Sequence, residues 1–67
     1  MMRLGVPEMQ SDKCRVTITG ALLGVDPRAI CDVDMDKKHV AVESHFPPSD
    51  FIEALEEVGY SSFLAQV

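Results

Sequence analysis

The sequence is short of most features that would announce a familiar activity. No apolar run approaches the roughly 20 residues needed to cross a bilayer, so membrane insertion is not expected. The opening stretch Met-Met-Arg-Leu-Gly-Val-Pro lacks the long apolar segment and small-residue cleavage site of a secretory leader, which makes the cytoplasm the expected location. Lys and Arg number 6 against 11 Asp and Glu, for a net charge of −5, and they form no basic stripe. Phosphate binding needs clustered cations, so nucleic acid is excluded as a partner and a basic protein surface fits better. Cysteine is confined to Cys14 and Cys31, which in a cytoplasmic chain are read as free thiols. There is no Ser-His-Asp pattern, no glycine-rich phosphate loop and no carboxylate pair in an evident pocket, so the chain is not expected to be an enzyme. With 67 residues it has room for one domain, residues 1–67, and little volume for a substrate pocket of the usual ~300 Å³ or more.

What is present is a globular composition, 46% hydrophobic and 25% charged, without repeats or linkers. Met2, Leu4 and Val6 alternate with Arg3 and Gly5, a half-buried strand over residues 1–6 that Pro7 ends. From Asp12 the spacing changes to three and four: Cys14, Ile18, Ala21, Leu22 and Val25 form one helical face that stops between Gly24 and Pro27. The β-branched run Val16-Thr-Ile-Thr19 favours a strand by propensity, but the spacing outweighs it. Alternation returns over residues 29–35, with Cys31, Val33 and Met35 on one face, and over residues 38–44, with Val40 and Val42 inward. Asp36-Lys37 would join these two as a hairpin.

Pro47 and Pro48 then break the chain before a second helix carrying Phe51, Ala54, Leu55 and Val58 inward. Ser49 or Asp50 is its expected cap and Gly59 its C′ residue. Tyr60 to Val67 reads as a final edge strand. The order βαββαβ predicts an α+β, ferredoxin-like sandwich, a four-stranded antiparallel sheet covered by two helices.

Three stretches in that order carry a resemblance over nearly the whole chain. Leu4-Gly-Val-Pro-Glu-Met9, Val33-Asp-Met-Asp-Lys-Lys-His-Val40-Ala-Val42 and the helix from Phe51 to Gly59-Tyr60 resemble the heavy-metal-associated domains of soluble copper chaperones and of P-type ATPase N-terminal modules. The turn Val25-Asp-Pro-Arg-Ala29 is similar to that of the bacterial chaperones. The resemblance implies that residues 9–14, Met-Gln-Ser-Asp-Lys-Cys, are a Met-x-Cys-x-x-Cys metal loop with Ser11 where the first cysteine belongs. In that family two thiolates hold Cu(I), a soft ion that prefers sulfur, and pass it to a partner by ligand exchange. A serine hydroxyl is a hard oxygen and does not replace a thiolate.

Cys14 is therefore the one metal ligand expected, an incomplete site. It would bind Cu(I) or another soft ion weakly, or share it with an exogenous thiol or with the Cys14 of a second molecule, so the chain is read as a monomer or weak homodimer. The helix dipole, Lys13 and Arg15 are expected to favour its thiolate; the competing reading is a cysteine that fills the top of the core. Ser11 would cap the first helix through its hydroxyl, a contribution of typically ~1 kcal/mol. Met9 reads as a plug beneath the loop, and Cys31 as a small core residue. His39 is expected to be exposed and His45 to lie in a loop, too far apart to share a metal. Asp32, Asp34 and Asp36 read as a solvated strand face, with no calcium loop around them.

Tyr60 either backs the loop sulfur, as the resemblance implies, or is a core aromatic with its hydroxyl at the surface. Glu53, Glu56 and Glu57 on the second helix would steer the protein toward a basic partner, and a metal-transporting ATPase domain is the partner implied by the resemblance. Two functions stay open: a copper-chaperone-like metal binder, and a metal-independent protein-interaction module of the same fold.

Overall fold

Side chains spaced by two along four segments line one face of a sheet, and side chains spaced by three and four along two others close over it. The computed structural model describes residues 2–66, so the expectations for Met1 and Val67 lie outside the described residues. Along the chain run β1 (Met2–Gly5), α1 (Asp12–Val25), β2 (Ile30–Asp34), β3 (His39–Glu43), α2 (Pro48–Glu57) and β4 (Phe63–Gln66). The sheet order is β2-β3-β1-β4 with every pairing antiparallel, which is the ferredoxin-like arrangement and leaves β4 at an edge.

Register explains the core. Cys31, Val42 and Met2 form one cross-strand row, and Val33, Val40, Leu4 and Leu64 form the next. Ile18 and Leu22 from α1 and Phe51 and Leu55 from α2 bury fully against these rows, together with Val6 and Met9 from the loop between β1 and α1. Each such side chain contributes about 1.5–3 kcal/mol by leaving water, which a domain near the lower size limit needs to offset chain entropy. The β-branched run in α1 is helical because Ile18 points into this core while Val16 is left to solvent.

Three local expectations are corrected. The connection of β2 to β3 is a four-residue turn, residues 35–38, not a tight Asp36-Lys37 pair. Asp34 accepts from the Lys37 N–H at 3.1 Å, and Lys38 takes the left-handed conformation at φ 56°. Helix α2 starts at Pro48 with Pro47 as N-cap, so neither Ser49 nor Asp50 caps it; proline suits the first turn, where its missing N–H has no partner to lose. Val58, expected to face inward, is 42% exposed because it stands at the C-cap, past the last turn resting on the core.

The end of α2 is fixed as the sequence suggests. Gly59 adopts φ +93°, its N–H donates to the Glu56 carbonyl at 3.0 Å, and the Tyr60 N–H donates to the Leu55 carbonyl at 2.8 Å. This is the Schellman closure. Since the Gly5 end of β1 pairs with His39 and Phe63, the loop after β1, the β2–β3 turn and the α2–β4 connection gather at one end of the sheet.

Gly59→Ala is expected to cost about 1 kcal/mol, since an added methyl meets no atom and only the left-handed backbone resists it. Gly20→Ala, on the exposed side of α1 and equally free of contacts, is expected to stabilise by about 0.5–1 kcal/mol. Urea unfolding of the two variants should move the midpoint in opposite directions.

Candidate functional site

The loop between β1 and α1 is held from below. The Val6 N–H donates to the Lys38 carbonyl at 2.8 Å, tying the loop to the β2–β3 turn, and the Met9 N–H closes a turn on the Val6 carbonyl at 3.1 Å. With Val6 and Met9 wholly buried, the residues between and after them are presented outward. Met9 is thus a plug beneath the loop, as expected.

Ser11 is the N-cap residue of α1 by backbone, extended at φ −147° and ψ 165°, and its carbonyl accepts from the Cys14 N–H at 3.0 Å. Its hydroxyl makes no capping bond, contrary to expectation. The Oγ is turned instead to within 3.8 Å of Cys14 Sγ, and one short side chain does not serve both directions.

Cys14, half-buried in the first turn of α1, receives a hydrogen bond from the Tyr60 hydroxyl at 3.0 Å. Of the two readings for Tyr60, the geometry favours the one that backs the sulfur. The thiol is lowered from its ordinary 9.0 to about 7, first by Tyr60 and then by the backbone amides of Gln10 and Ser11. Lys13 and Arg15, expected to do this, are not the cause. Arg15 points at Asp12, 3.9 Å away, and both side chains are well exposed. A hydrogen bond to the charged form acts at contact, whereas an exposed cation is screened by water. The reciprocal effect raises the Tyr60 phenol, which keeps its proton to donate.

The remaining candidates lie elsewhere. Cys31 is half-buried in the inner row beside Val42, and burial pushes its thiol up. His39 is half-buried rather than exposed, with Nδ1 enclosed and unpaired, because the neighbouring strands β1 and β2 flank it. His45 is exposed beyond the far end of β3, so the two histidines do not share a site. Asp32, Asp34 and Asp36 are exposed, and among the described residues no group of three His, Cys, Asp or Glu is arranged to hold a metal. Glu53, Glu56 and Glu57 lie exposed along α2.

Two contacts were not foreseen. The Ser61 N–H donates to Glu8 Oε1 at 3.1 Å, joining the loop to the α2–β4 connection. At the opposite end of the sheet the Ser44 hydroxyl donates to Asp26 Oδ2 at 2.6 Å, holding that carboxyl below its usual range. Both pairs are distant in sequence and carry no local signal.

The sequence matches the model of the heavy-metal-associated domain over residues 3–61. No curated protein matches it in sequence. Among solved structures, the trimeric Cu1 form of the copper chaperone Atx1 from Synechocystis PCC6803 superposes with a TM-score of 0.90 at 25% identity, covering 94% of this chain and 100% of that one. A gold-binding protein superposes with a TM-score of 0.90 at 22% identity, covering 96% and 98%. A copper-binding domain from HMA7, a P-type ATPase, gives 0.84 at 19% identity, covering 94% and 89%. The last two likenesses speak to fold alone. Among the described residues no helix is long and apolar enough to cross a membrane.

Tyr60→Phe is expected to raise the alkylation midpoint of Cys14 from about 7 toward 9.0, read by mass spectrometry of the Cys14 peptide across pH. A thiolate favoured in the folded chain contributes fully above 9.0 and loses that contribution as pH falls through about 7. The urea midpoint of the wild type should therefore fall relative to Tyr60→Phe over that window; a constant difference would contradict the assignment.

Proposed function

The chain belongs to the heavy-metal-associated domain family, and from that premise we propose that it is a small copper-chaperone-like metal-binding module whose loop is one thiolate short. The observation that carries this reading is Cys14: a half-buried sulfur at the tip of α1 that accepts from the Tyr60 hydroxyl at 3.0 Å and whose thiol is lowered to about 7 by that bond and by two loop amides. A soft thiolate of this kind suits Cu(I) or a similar ion as cargo. One sulfur does not complete a linear site, and Ser11, taken to stand where the family has its first cysteine, offers a hard oxygen 3.8 Å away. The second sulfur would come from an exogenous thiol or from the Cys14 of a second molecule, so binding is weak or shared. A metal-transporting ATPase domain is the partner we propose, in the cytoplasm, with exposed Glu53, Glu56 and Glu57 steering association toward a basic surface.

The hard oxygen at Ser11 also favours a second reading, a metal-independent protein-interaction module that uses the same loop, the start of α1 and the acidic face of α2. The two are separated by anaerobic titration of the reduced protein with Cu(I) against a competing chelator. Under the first reading the wild type competes and Cys14→Ala does not, while Ser11→Cys binds tighter by orders of magnitude. Competition by Ser11→Cys alone would leave the loop intact but disarmed. Partner capture that persists in Cys14→Ala would then establish the second reading.

A further inference from the structure

Among the described residues, two hydrogen bonds join the connection between α2 and β4 to the first turn of α1 and to the loop before it, and they come from adjacent residues. The Tyr60 hydroxyl donates to Cys14 Sγ at 3.0 Å and the Ser61 N–H donates to Glu8 Oε1 at 3.1 Å. We propose that Glu8 is a positioning residue of the site, whose carboxylate holds Ser61 against the loop and so keeps the Tyr60 hydroxyl on Cys14 Sγ. This rests on the reading of Cys14 as the working sulfur.

Tyr60 has a backbone fixed on one side only by α2, through its N–H on the Leu55 carbonyl at 2.8 Å. On its other side exposed Ser61 and half-buried Ser62 intervene before β4 pairs with β1 at Phe63. Glu8 anchors that short gap at Ser61. Its place is set by the turn that buries Val6 and Met9 on either side and turns Glu8 outward, facing the α2–β4 connection. Among the described residues Glu8 is exposed and stands outside the core.

The protein contains one tyrosine and no tryptophan, so ultraviolet-excited emission reports Tyr60 alone. Contact with a sulfur quenches a phenol, and Cys14→Ala sets the unquenched level. In reduced, metal-free protein we expect Glu8→Ala to lose the quench and reach that level. Glu8→Gln, which keeps an acceptor oxygen, is expected to remain at the wild-type level. Ser61→Pro, which removes the donor from the other side, is expected to match Glu8→Ala.

Wild-type emission from Glu8→Ala would overturn the proposal, as would a Glu8→Gln variant as bright as Glu8→Ala. Loss of the folded circular dichroism signal in Glu8→Ala would overturn it too, since a surface positioning residue leaves the fold standing. No metal enters this experiment, so Cu(I) binding can fail while the tyrosine result stands, and the reverse.

Discussion

Everything at the site depends on one constraint: the apolar face of the sheet has to be covered, and among the described residues two helices cover it. Leu4, Val40 and Val42 are wholly buried only because Ile18 and Leu22 on α1 and Phe51 and Leu55 on α2 lie across them. That packing fixes where α1 begins and where α2 ends. Since both ends fall beside the loop after β1, a thiol in the first turn of one helix meets a phenol just past the last turn of the other. The site is a by-product of closing the core.

The same economy shapes the chemistry. A cation near Cys14 would favour its thiolate, but exposed charges such as Lys13 and Arg15 are solvated and act weakly. A phenol held at 3.0 Å by a rigid helix terminus and amides held by a turn do not relax away. Preorganised neutral donors therefore account for a thiol lowered to about 7 in an acidic protein. Ser11 fits the same frame: its hydroxyl follows the sulfur and leaves the cap to backbone geometry.

Legibility in the sequence tracks the range of the forces involved. Period-two and period-three-to-four patterns gave all six elements in order, including α1 despite Val16-Thr-Ile-Thr19, because burial repeats along the chain as the backbone does. Gly59 was legible for the same local reason, a left-handed residue at a helix end. Side-chain caps at Ser11, Ser49 and Asp50 were not, since a capping residue type states an ability and neighbouring groups decide its use. The β2–β3 turn ran longer than alternation implied because Asp34 found a backbone partner within the turn.

The amino-acid order by itself determined the βαββαβ plan, the inward faces of β1, α1, β2 and β3 and the identity of the one thiol carried at the head of α1, since each is a property of neighbours along the chain. What surrounds that thiol was decided by tertiary structure alone. Tyr60 on Cys14 and Glu8 on Ser61 join residues that are far apart in sequence, and no pattern of burial or propensity encodes such a contact. It exists because two helices laid on one sheet bring their ends to the same place.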